Sequence, residues 1–253
     1  MCHAIRYLAQ GQSGPQGSYR RAVQLLALTV VASFGYGLAV SPYFAIREVQ
    51  ICAPDGAIAK LALAKTKVPG GASTLLYPVE RLAKQLEEYP EIKQASIERA
   101  LPNRLVVHIV RRHPVAAIGT NEEWALVDEQ GICVSTSTEL PASLICFYGL
   151  VEKPLEPGQQ LNGTALQLLR ETLEGLKDYS DSAGLVMDFT DRHLIQIHMP
   201  TGVLGKLGSP DNLKRKIMMF LAIMEQLEGK GHQPAYIDVR IMDQPVWKPQ
   251  PKS

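Results

Sequence analysis

The sequence predicts an α+β protein with one N-terminal membrane-spanning helix followed by two domains. Three observations support this prediction. Residues 22–40 form an apolar run without a charged side chain. The following stretch of about 70 residues shows strand and helix patterns in the order β-α-α-β-β. The rest of the chain contains short strand patterns interrupted by two amphipathic helices.

The apolar run is long enough to cross a bilayer. As a helix it would rise about 28 Å, close to the roughly 30 Å of the hydrocarbon core. It is longer than the apolar part of a cleaved secretory signal, and Pro42 follows its one cleavage-like triplet, Ala39-Val40-Ser41. A buried helix of a soluble protein would normally carry a polar face. We therefore expect an uncleaved transmembrane helix over residues 22–41.

The charges that flank the run predict its orientation. The preceding tail, residues 1–21, contains Arg6, Arg20 and Arg21 and has no acidic residue. Basic residues are retained on the cytoplasmic side of a span. The expected topology is single-pass (type II), with a cytoplasmic N-terminus and extracytoplasmic domains after Pro42. The Gly, Gln and Ser content of residues 1–19 predicts disorder.

Charge and cysteine content narrow the function classes. The formal net charge is +1, so the overall charge does not favour a nucleic acid or a strongly acidic ligand. Cys2 lies in the predicted cytoplasmic tail, and Cys52, Cys133 and Cys146 lie beyond the span. A Cys133–Cys146 disulfide and buried free thiols are both open readings, and we favour free thiols.

The first predicted domain has the order β-α-α-β-β. The strand patterns are 44–52, 92–99 and 104–112, and the helical patterns are 57–65 and 79–86. Tyr89-Pro90 ends the second helix, and Leu101-Pro102-Asn103 provides the turn between the last two strands. This order predicts a three-stranded sheet that is covered on one face by two helices.

The second predicted domain begins near residue 115. Strand patterns cover 115–118, 123–128, 132–135, 185–189, 194–198, 202–206, 235–242 and 245–247, and helical patterns cover 164–178 and the segment after residue 209. Ser209 is the expected N-cap of the last helix, with Pro210 at its first position and Asp211 favourable beside the positive helix end.

Several segments resemble the FtsQ/DivIB family of bacterial cell-division proteins. Three segments resemble its POTRA domain: Phe44-Ala-Ile-Arg-Glu-Val-Gln-Ile, Tyr89-Pro-Glu-Ile-Lys-Gln-Ala and Leu101-Pro-Asn-Arg-Leu-Val-Val-His-Ile. The segment Arg112-His-Pro-Val-Ala resembles the family's hinge from the POTRA domain to the next domain. Its second domain resembles Trp124-Ala-Leu-Val-Asp-Glu-Gln-Gly, Val203-Leu-Gly, the 214–227 helix and Tyr236-Ile-Asp-Val-Arg240. Two positions depart from the family pattern, because Arg111 replaces a common Glu and Ile241 a frequent Tyr.

The resemblance implies a POTRA domain at 42–113, an FtsQ-type domain at 114–248 and a short tail at 249–253. It implies that the second domain is a curved antiparallel sheet with two packed helices. It further implies a non-enzymatic scaffold of the cytoplasmic membrane, which links early and late divisome proteins at the septum. FtsB-like and FtsL-like single-pass proteins and other divisome components would be its partners. The runner-up is a POTRA-containing envelope assembly or secretion factor.

The predicted binding site is the last sheet edge, because a strand at a sheet edge can pair with another chain. Its residues are Tyr236, Asp238, Arg240, Ile241, Val246 and Trp247. A simpler interpretation places Tyr236 and Val239 in the core and makes Asp238 and Arg240 an ordinary ion pair. A POTRA edge, 44–52 or 104–112, is a second candidate contact.

Thr29, Ser33 and Gly37 recur every four residues along the span and form a stripe of small side chains. Such a stripe can pack against another membrane helix, although similar stripes also arise by chance.

The sequence offers little for catalysis or for a cofactor. It lacks G-x-S-x-G, S-x-x-K, H-E-x-x-H and phosphate-loop motifs. His193 and His198 would lie on opposite faces of one strand, so we expect no shared metal. Asp188 and Asp191 are expected to accept backbone hydrogen bonds in a turn. A pair of carboxylates that meet only in space, as in a membrane-anchored cell-wall hydrolase, stays open at this point.

Overall fold

The computed structural model describes residues 16–120, 123–180 and 182–250. Most of the predicted N-terminal tail, including Cys2, and residues 251–253 lie outside the described residues. The chain divides into two compact units. The first comprises the residues up to Gln50 together with Lys67–Val79 and Ile97–Val107, and the second comprises Ile51–Thr66, Glu80–Ser96 and the residues from His108 onward. This division does not follow the predicted boundaries 42–113 and 114–248, which stay a prediction.

The first unit begins with a long apolar helix, α1, Gln16–Ala39. Within it, Ala22–Ala39 is long and apolar enough to cross a membrane. Its large apolar side chains are exposed, as lipid-facing side chains would be. A short 3₁₀ turn, Pro42–Phe44, connects α1 to the first strand.

The order of the next elements confirms the β-α-α-β-β prediction. The elements are β1 (Glu48–Cys52), α2 (Gly56–Lys65), α3 (Val79–Glu87), β2 (Ile92–Ala100) and β3 (Arg104–Arg111). They include a three-stranded sheet of order β1-β3-β2. The carboxylate of Asp55 caps α2 by accepting the N–H of Ile58 at 2.8 Å. Both helices bury their apolar positions, such as Ala62 in α2 and Leu86 in α3.

The second unit contains a nine-stranded sheet. Its strands are β4 (Ala116–Gly119), β5 (Trp124–Val127), β6 (Cys133–Ser137), β7 (Ile145–Tyr148), β8 (Val186–Asp188), β9 (Ile195–His198), β10 (Leu204–Gly208), β11 (Pro234–Asp238) and β12 (Val246–Pro249). The strand order is β12-β11-β10-β9-β8-β7-β4-β5-β6. Sequence patterns indicated all of these strands except β7.

The sheet is mixed, which corrects the expectation of an antiparallel sheet. The pairs β10–β11, β4–β7 and β7–β8 are parallel, and the remaining pairs are antiparallel. Parallel neighbours need a crossover connection, and a helix provides it for two of these three pairs, β7–β8 and β10–β11. Helix α4 (Gly163–Gly175) lies in the chain between β7 and β8, and α5 (Leu213–Gly229) lies between β10 and β11.

Both helices contribute to one hydrophobic core with the sheet. Phe147, Leu169, Phe189, Ile217 and Phe220 are among its fully buried members. The rings of Phe147 and Phe189 stack with their centroids 6.1 Å apart. Close packing also requires glycine in β10. A Cβ at Gly205 would overlap Cγ2 of Ile197 and would lie 2.7 Å from the ring of Phe220.

Helix α5 begins later than the sequence pattern predicts. Asn212, not Ser209, occupies the N-cap position, and its φ of 56° places it in the left-handed region. Asparagine tolerates this conformation better than most residues, so the chain makes one more turn before the helix starts. Ser209 instead accepts a hydrogen bond at its carbonyl from Nζ of the buried Lys216, at 2.8 Å. Burial lowers the pKa of Lys216, and the charge of Asp211 partly offsets that effect.

The cysteines confirm the free-thiol prediction. Cys133 and Cys146 are both buried and free. Burial, together with the charge of Glu123, raises the pKa of Cys133 to about 11. Burial also raises the pKa of Cys146. Both thiols are therefore protonated at neutral pH.

A buried ion pair lies where the predicted hinge begins. Nη1 of Arg112 contacts the Asp128 carboxylate at 2.5 Å, and both side chains are less than a tenth exposed. The same guanidinium donates to the carbonyl oxygens of Pro90 at 3.0 Å and Ile92 at 3.3 Å. The second carboxylate oxygen accepts the N–H groups of Gln130 and Ile132. The pair therefore holds the α3–β2 connection against the β5–β6 turn, both within the second unit.

Candidate partner-binding edge

Strand β12 forms one end of the nine-stranded sheet. It pairs with β11 in antiparallel register, with Tyr236 opposite Lys248, Ile237 opposite Trp247 and Asp238 opposite Val246. All four residues of β12 are exposed. The predicted site thus lies at a sheet edge in the structure.

The predicted site residues divide between the two faces of this edge. Ile237 is fully buried, whereas Tyr236 and Asp238 are only partly buried. Directly opposite residues in an antiparallel pair share a face. Trp247 therefore shares the face of Ile237, and Val246 shares the face of Asp238. The fully buried Val239 belongs to the core, as the simpler interpretation proposed.

Three apolar side chains are exposed at this edge. Ile241 is 66% exposed, Val246 is 57% exposed and Trp247 is 36% exposed. The Trp247 ring lies 5.4 Å from the ring of His232, which follows α5. The Trp247 ring therefore packs partly against His232, whereas Ile241 and Val246 expose most of their side-chain surface to solvent.

Asp238, the last residue of β11, forms an ion pair with Arg240 in the β11–β12 turn. The Asp238 carboxylate accepts hydrogen bonds from Nη2 of Arg240 at 2.7 Å, from its Nε at 3.0 Å and from its backbone N–H at 3.1 Å. Partial burial acts to raise the pKa of Asp238, but the hydrogen bonds and charge of Arg240 outweigh it and leave that pKa below its ordinary value. The predicted ion pair is confirmed.

Lys206 of β10 adds a contact that the sequence analysis missed. Its Nζ lies 4.3 Å from the centre of the Tyr236 ring, a cation–π geometry. Leu204 and Lys206 of β10 stand opposite Tyr236 and Asp238 in the parallel β10–β11 pair. Lys206 and Tyr236 are 30 residues apart in the sequence, and the pairing of β10 with β11 brings them together.

The main-chain groups of β12 that point away from β11, toward solvent, include few N–H donors. The N–H of Gln250 points toward β11, because it donates to the carbonyl of Gln233 at 2.9 Å. Successive residues of a strand point their N–H and C=O groups to opposite sides. Residues 247 and 249 of β12 therefore point outward, and the same alternation, extended by one residue before the strand, assigns Pro245 to the outward side. Residues 245 and 249 are prolines, so within 245–249 only Trp247 offers an outward N–H.

The structure corrects one predicted POTRA edge. Strand β3 is the central strand of the three-stranded sheet, so residues 104–112 do not form an edge. It pairs with strands on both sides, and β1 and β2 are the outer strands. The alternative contact at 44–52, which contains β1, stays a prediction.

The small-residue stripe of α1, Thr29, Ser33 and Gly37, is exposed. Thr29 donates its hydroxyl to the carbonyls of Leu25 and Leu26 within the same helix. A Cβ built at Gly37 would have open space around it. A role of Thr29, Ser33 and Gly37 in helix packing stays a prediction.

Two acidic residues considered for catalysis, Asp188 and Asp191, accept backbone hydrogen bonds at the turn that follows β8. The carboxylates of Asp188 and Asp191 accept the N–H groups of Thr190 and His193, each at 2.8 Å, which confirms the turn prediction. Among the described residues, no group of three His, Cys, Asp or Glu side chains is arranged to hold a metal.

Comparison with known families matches the chain in two consecutive segments. Residues 44–112 match the family model described as "POTRA domain, FtsQ-type", and residues 116–240 match "Cell division protein FtsQ/DivIB, C-terminal". The chain belongs to the FtsQ/DivIB family. The matched region ends at Arg240, so β12 lies beyond it.

Individual FtsQ/DivIB proteins are similar over most or more than half of the chain. Cell division protein DivIB of Clostridium tetani is 20% identical over 232 residues, which cover 89% of this chain and 85% of that protein. Cell division protein FtsQ of Chloroflexus aggregans is 29% identical over 167 residues, which cover 65% of this chain and 59% of that protein. FtsQ of Neisseria gonorrhoeae is 24% identical over 155 residues, which cover 61% of this chain and 59% of that protein.

Proposed function

We propose that this FtsQ/DivIB protein is a single-pass scaffold of the division septum, which acts by binding other divisome proteins rather than by catalysis. Membership of a cell-division family supports a role in cell division. The exposed apolar helix Ala22–Ala39 supports the membrane anchor. The N-terminal tail would lie in the cytoplasm, and the predicted POTRA domain (42–113) and FtsQ-type domain (114–248) would lie outside the cytoplasmic membrane.

The observation that carries the proposal is the solvent-exposed strand β12 at the end of the sheet. An FtsB-like segment, accompanied by an FtsL-like protein, would add a strand beside β12. Ile241, Val246 and Trp247 would contribute apolar contacts, and the Asp238–Arg240 pair would lie at the rim. Two further contacts, through β1 and through the small-residue stripe of α1, would extend the assembly.

The outward groups of β12 restrict which strand can bind. The prolines at 245 and 249 present carbonyl acceptors without N–H donors, whereas Trp247 presents both groups. The incoming strand must therefore supply N–H donors opposite both prolines. A partner strand with proline at those positions would leave carbonyls unpaired, which costs about 1–3 kcal/mol each where the carbonyl is buried.

Two substitutions at one position separate main-chain from side-chain recognition. Trp247→Ala removes the indole but keeps the outward N–H, whereas Trp247→Pro removes both. Trp247→Ala should weaken binding of an FtsB/FtsL-like pair by about 10- to 100-fold, the range of an interface hot spot. Trp247→Pro should weaken it by roughly a further 10-fold, since one more hydrogen bond is lost. Isothermal calorimetry with the full-length protein in detergent micelles measures both.

The control is Leu140→Ala, which removes an exposed apolar side chain outside this edge, 55% exposed against 36% for Trp247. It should leave the affinity unchanged. Full affinity of both Trp247 variants, or equal losses in all three, would contradict the edge proposal. In dividing cells, a fluorescent fusion of the wild-type protein should form midcell rings, and the double variant Ile241→Glu/Trp247→Ala should reduce them. Uniform membrane fluorescence of the wild type would contradict the proposed septal role.

A further inference from the structure

A short loop of exposed apolar side chains is attached to the end of the apolar helix. Leu75 and Leu76 are 37% and 54% exposed, although they belong to a turn with several hydrogen bonds. Tyr43, just after α1, is 65% exposed. We refer to Tyr43, Leu75 and Leu76 as the collar. All of its residues belong to the first compact unit.

Ser73 joins this loop directly to α1. Its hydroxyl donates to the carbonyl oxygen of Ala39 at 2.5 Å. That carbonyl belongs to the last turn of the helix, where carbonyl groups lack partners within the helix itself. The Ser73 hydroxyl also accepts the N–H of Leu75 at 3.3 Å, so one side chain links the helix end to the apolar turn.

Hydrogen bonds of Thr74 and Arg99 hold the rest of the loop in place. The N–H and hydroxyl of the fully buried Thr74 both donate to the carbonyl of Phe44, at 2.7 and 3.0 Å. Arg99 donates from Nε to the carbonyl of Thr74 and from Nη2 to that of Tyr77, both at 3.0 Å. The leucines are therefore exposed on a loop that is tied to its surroundings. Loss of local structure is not the reason for their exposure.

The collar lies beside the end of the proposed membrane span, and this position indicates that lipid covers it. If Ala22–Ala39 spans the membrane, the carbonyl of Ala39 lies at the extracytoplasmic boundary of the hydrocarbon core. A side chain tied to that carbonyl lies at the same level. Tyrosine is enriched at this boundary, and leucine side chains gain free energy by leaving water there. The Ser73–Ala39 hydrogen bond thus places the exposed side chains of the collar beside the end of the apolar span.

We infer that Tyr43, Leu75 and Leu76 form a second membrane contact, in which the collar rests in the interfacial region of the bilayer that α1 spans. This inference depends on the membrane topology proposed above, and it adds a lipid-binding surface on the extracytoplasmic side. The contact would limit tilting of the first unit relative to the bilayer, because lifting the collar out of the interface would return its apolar side chains to water. The occupant is the lipid of the same bilayer, not another protein.

Depth-dependent fluorescence quenching tests this inference. The full-length protein would be reconstituted into nanodiscs that contain brominated phosphatidylcholine, which quenches tryptophan at short range. Leu76→Trp places a reporter in the collar. Leu140→Trp is the matched control, because Leu140 has nearly the same exposure, 55%, and lies in the second unit. Trp124 and Trp247 give the same background in both variants.

Brominated lipid should quench the added fluorescence of Leu76→Trp at least about twofold more than that of Leu140→Trp. A second variant uses Tyr43→Trp as the reporter and carries Leu75→Glu and Leu76→Glu. Its quenching should fall relative to Tyr43→Trp alone, because two carboxylates oppose insertion.

The outcomes separate this inference from the proposed span. Failure of the wild type to enter nanodiscs would contradict the span itself. Normal incorporation with equal or absent quenching of Leu76→Trp and Leu140→Trp would overturn the collar inference and leave the span intact. Quenching that persists unchanged in the double glutamate variant would also overturn it.

Discussion

The buried pair of Arg112 and Asp128 permits a quantitative test. Arg112→Met keeps most of the apolar stem but removes the guanidinium. It deletes the contact with Asp128 and the hydrogen bonds to the carbonyls of Pro90 and Ile92. The Asp128 carboxylate would stay in a site where its side chain is 6% exposed. Removing one partner of a buried ion pair typically costs about 3–5 kcal/mol.

The matched control is the preceding residue. Arg111 also forms an ion pair, with Asp55 at 2.7 Å, but its side chain is 46% exposed. Exposed pairs contribute little because water solvates both charges and screens them. Arg111→Met should therefore leave the unfolding midpoint nearly unchanged. The two variants remove the same functional group from adjacent positions and differ in burial and in the two backbone carbonyls that Arg112 binds.

A double variant tests whether the uncompensated charge causes the loss. Asp128→Asn removes the carboxylate charge and keeps an oxygen that can accept the N–H groups of Gln130 and Ile132. Added to Arg112→Met, it should recover a substantial part of the stability, since the remaining buried group is neutral.

Urea unfolding of the full-length protein in detergent micelles, followed by tryptophan fluorescence, gives the midpoints. A slope of about 1–3 kcal/mol per molar urea converts a loss of 3–5 kcal/mol into a midpoint shift of at least about 1 M. A shift for Arg112→Met as small as that for Arg111→Met would refute the reasoning. So would purely additive losses in the double variant.

Three further predictions concern packing, thiol reactivity and pH. Gly205→Ala should destabilise the protein by at least about 1–3 kcal/mol in the same unfolding assay, because its Cβ overlaps neighbouring side chains, whereas Gly229→Ala, with open space around it, should cost nothing measurable. In the native protein, iodoacetamide should modify the partly exposed Cys52 well before Cys133, whose pKa of about 11 leaves roughly one thiolate in a thousand at pH 8; equal rates, measured by mass spectrometry, would contradict this. The pKa of Asp238 lies below its ordinary value, so the pair with its arginine stabilises the fold above the unfolded-state pKa of about 3.9 and is lost as the pH falls through the lower folded-state value. The difference in unfolding midpoint between wild type and Asp238→Asn should be full at pH 7 and shrink below about pH 4, and a difference independent of pH would contradict the assignment.

Local patterns were sufficient to predict most elements. Composition alone indicated α1, and helical spacing of apolar residues indicated α3 and α5. Strand β7 was missed because Ile145–Tyr148 is a short apolar run without alternation, as expected of a strand buried between two parallel neighbours. The start of α5 was misplaced because Ser209 and Pro210 satisfy the sequence rules for a helix start, whereas the left-handed conformation of Asn212 depends on tertiary context.

The candidate site was predictable in position but not in detail. A final strand pattern near the end of the second domain suggested an edge, and the family resemblance directed attention to Tyr236 and Trp247. Which face each residue occupies depends on the β11–β12 register, and a shift by one residue would exchange the faces. The contact of Lys206 with Tyr236 likewise follows from pairing between distant segments.

Pro249 of β12 and Pro245, which directly precedes the strand, also affect self-association. Two copies of this protein that met edge to edge would oppose one donor-poor row with an identical row. Such a pair could exchange main-chain hydrogen bonds only around Trp247, and the carbonyls of both prolines would face acceptors or water. Exposed strands commonly avoid aggregation by such interruptions. The edge therefore favours a strand rich in donors over a second copy of itself.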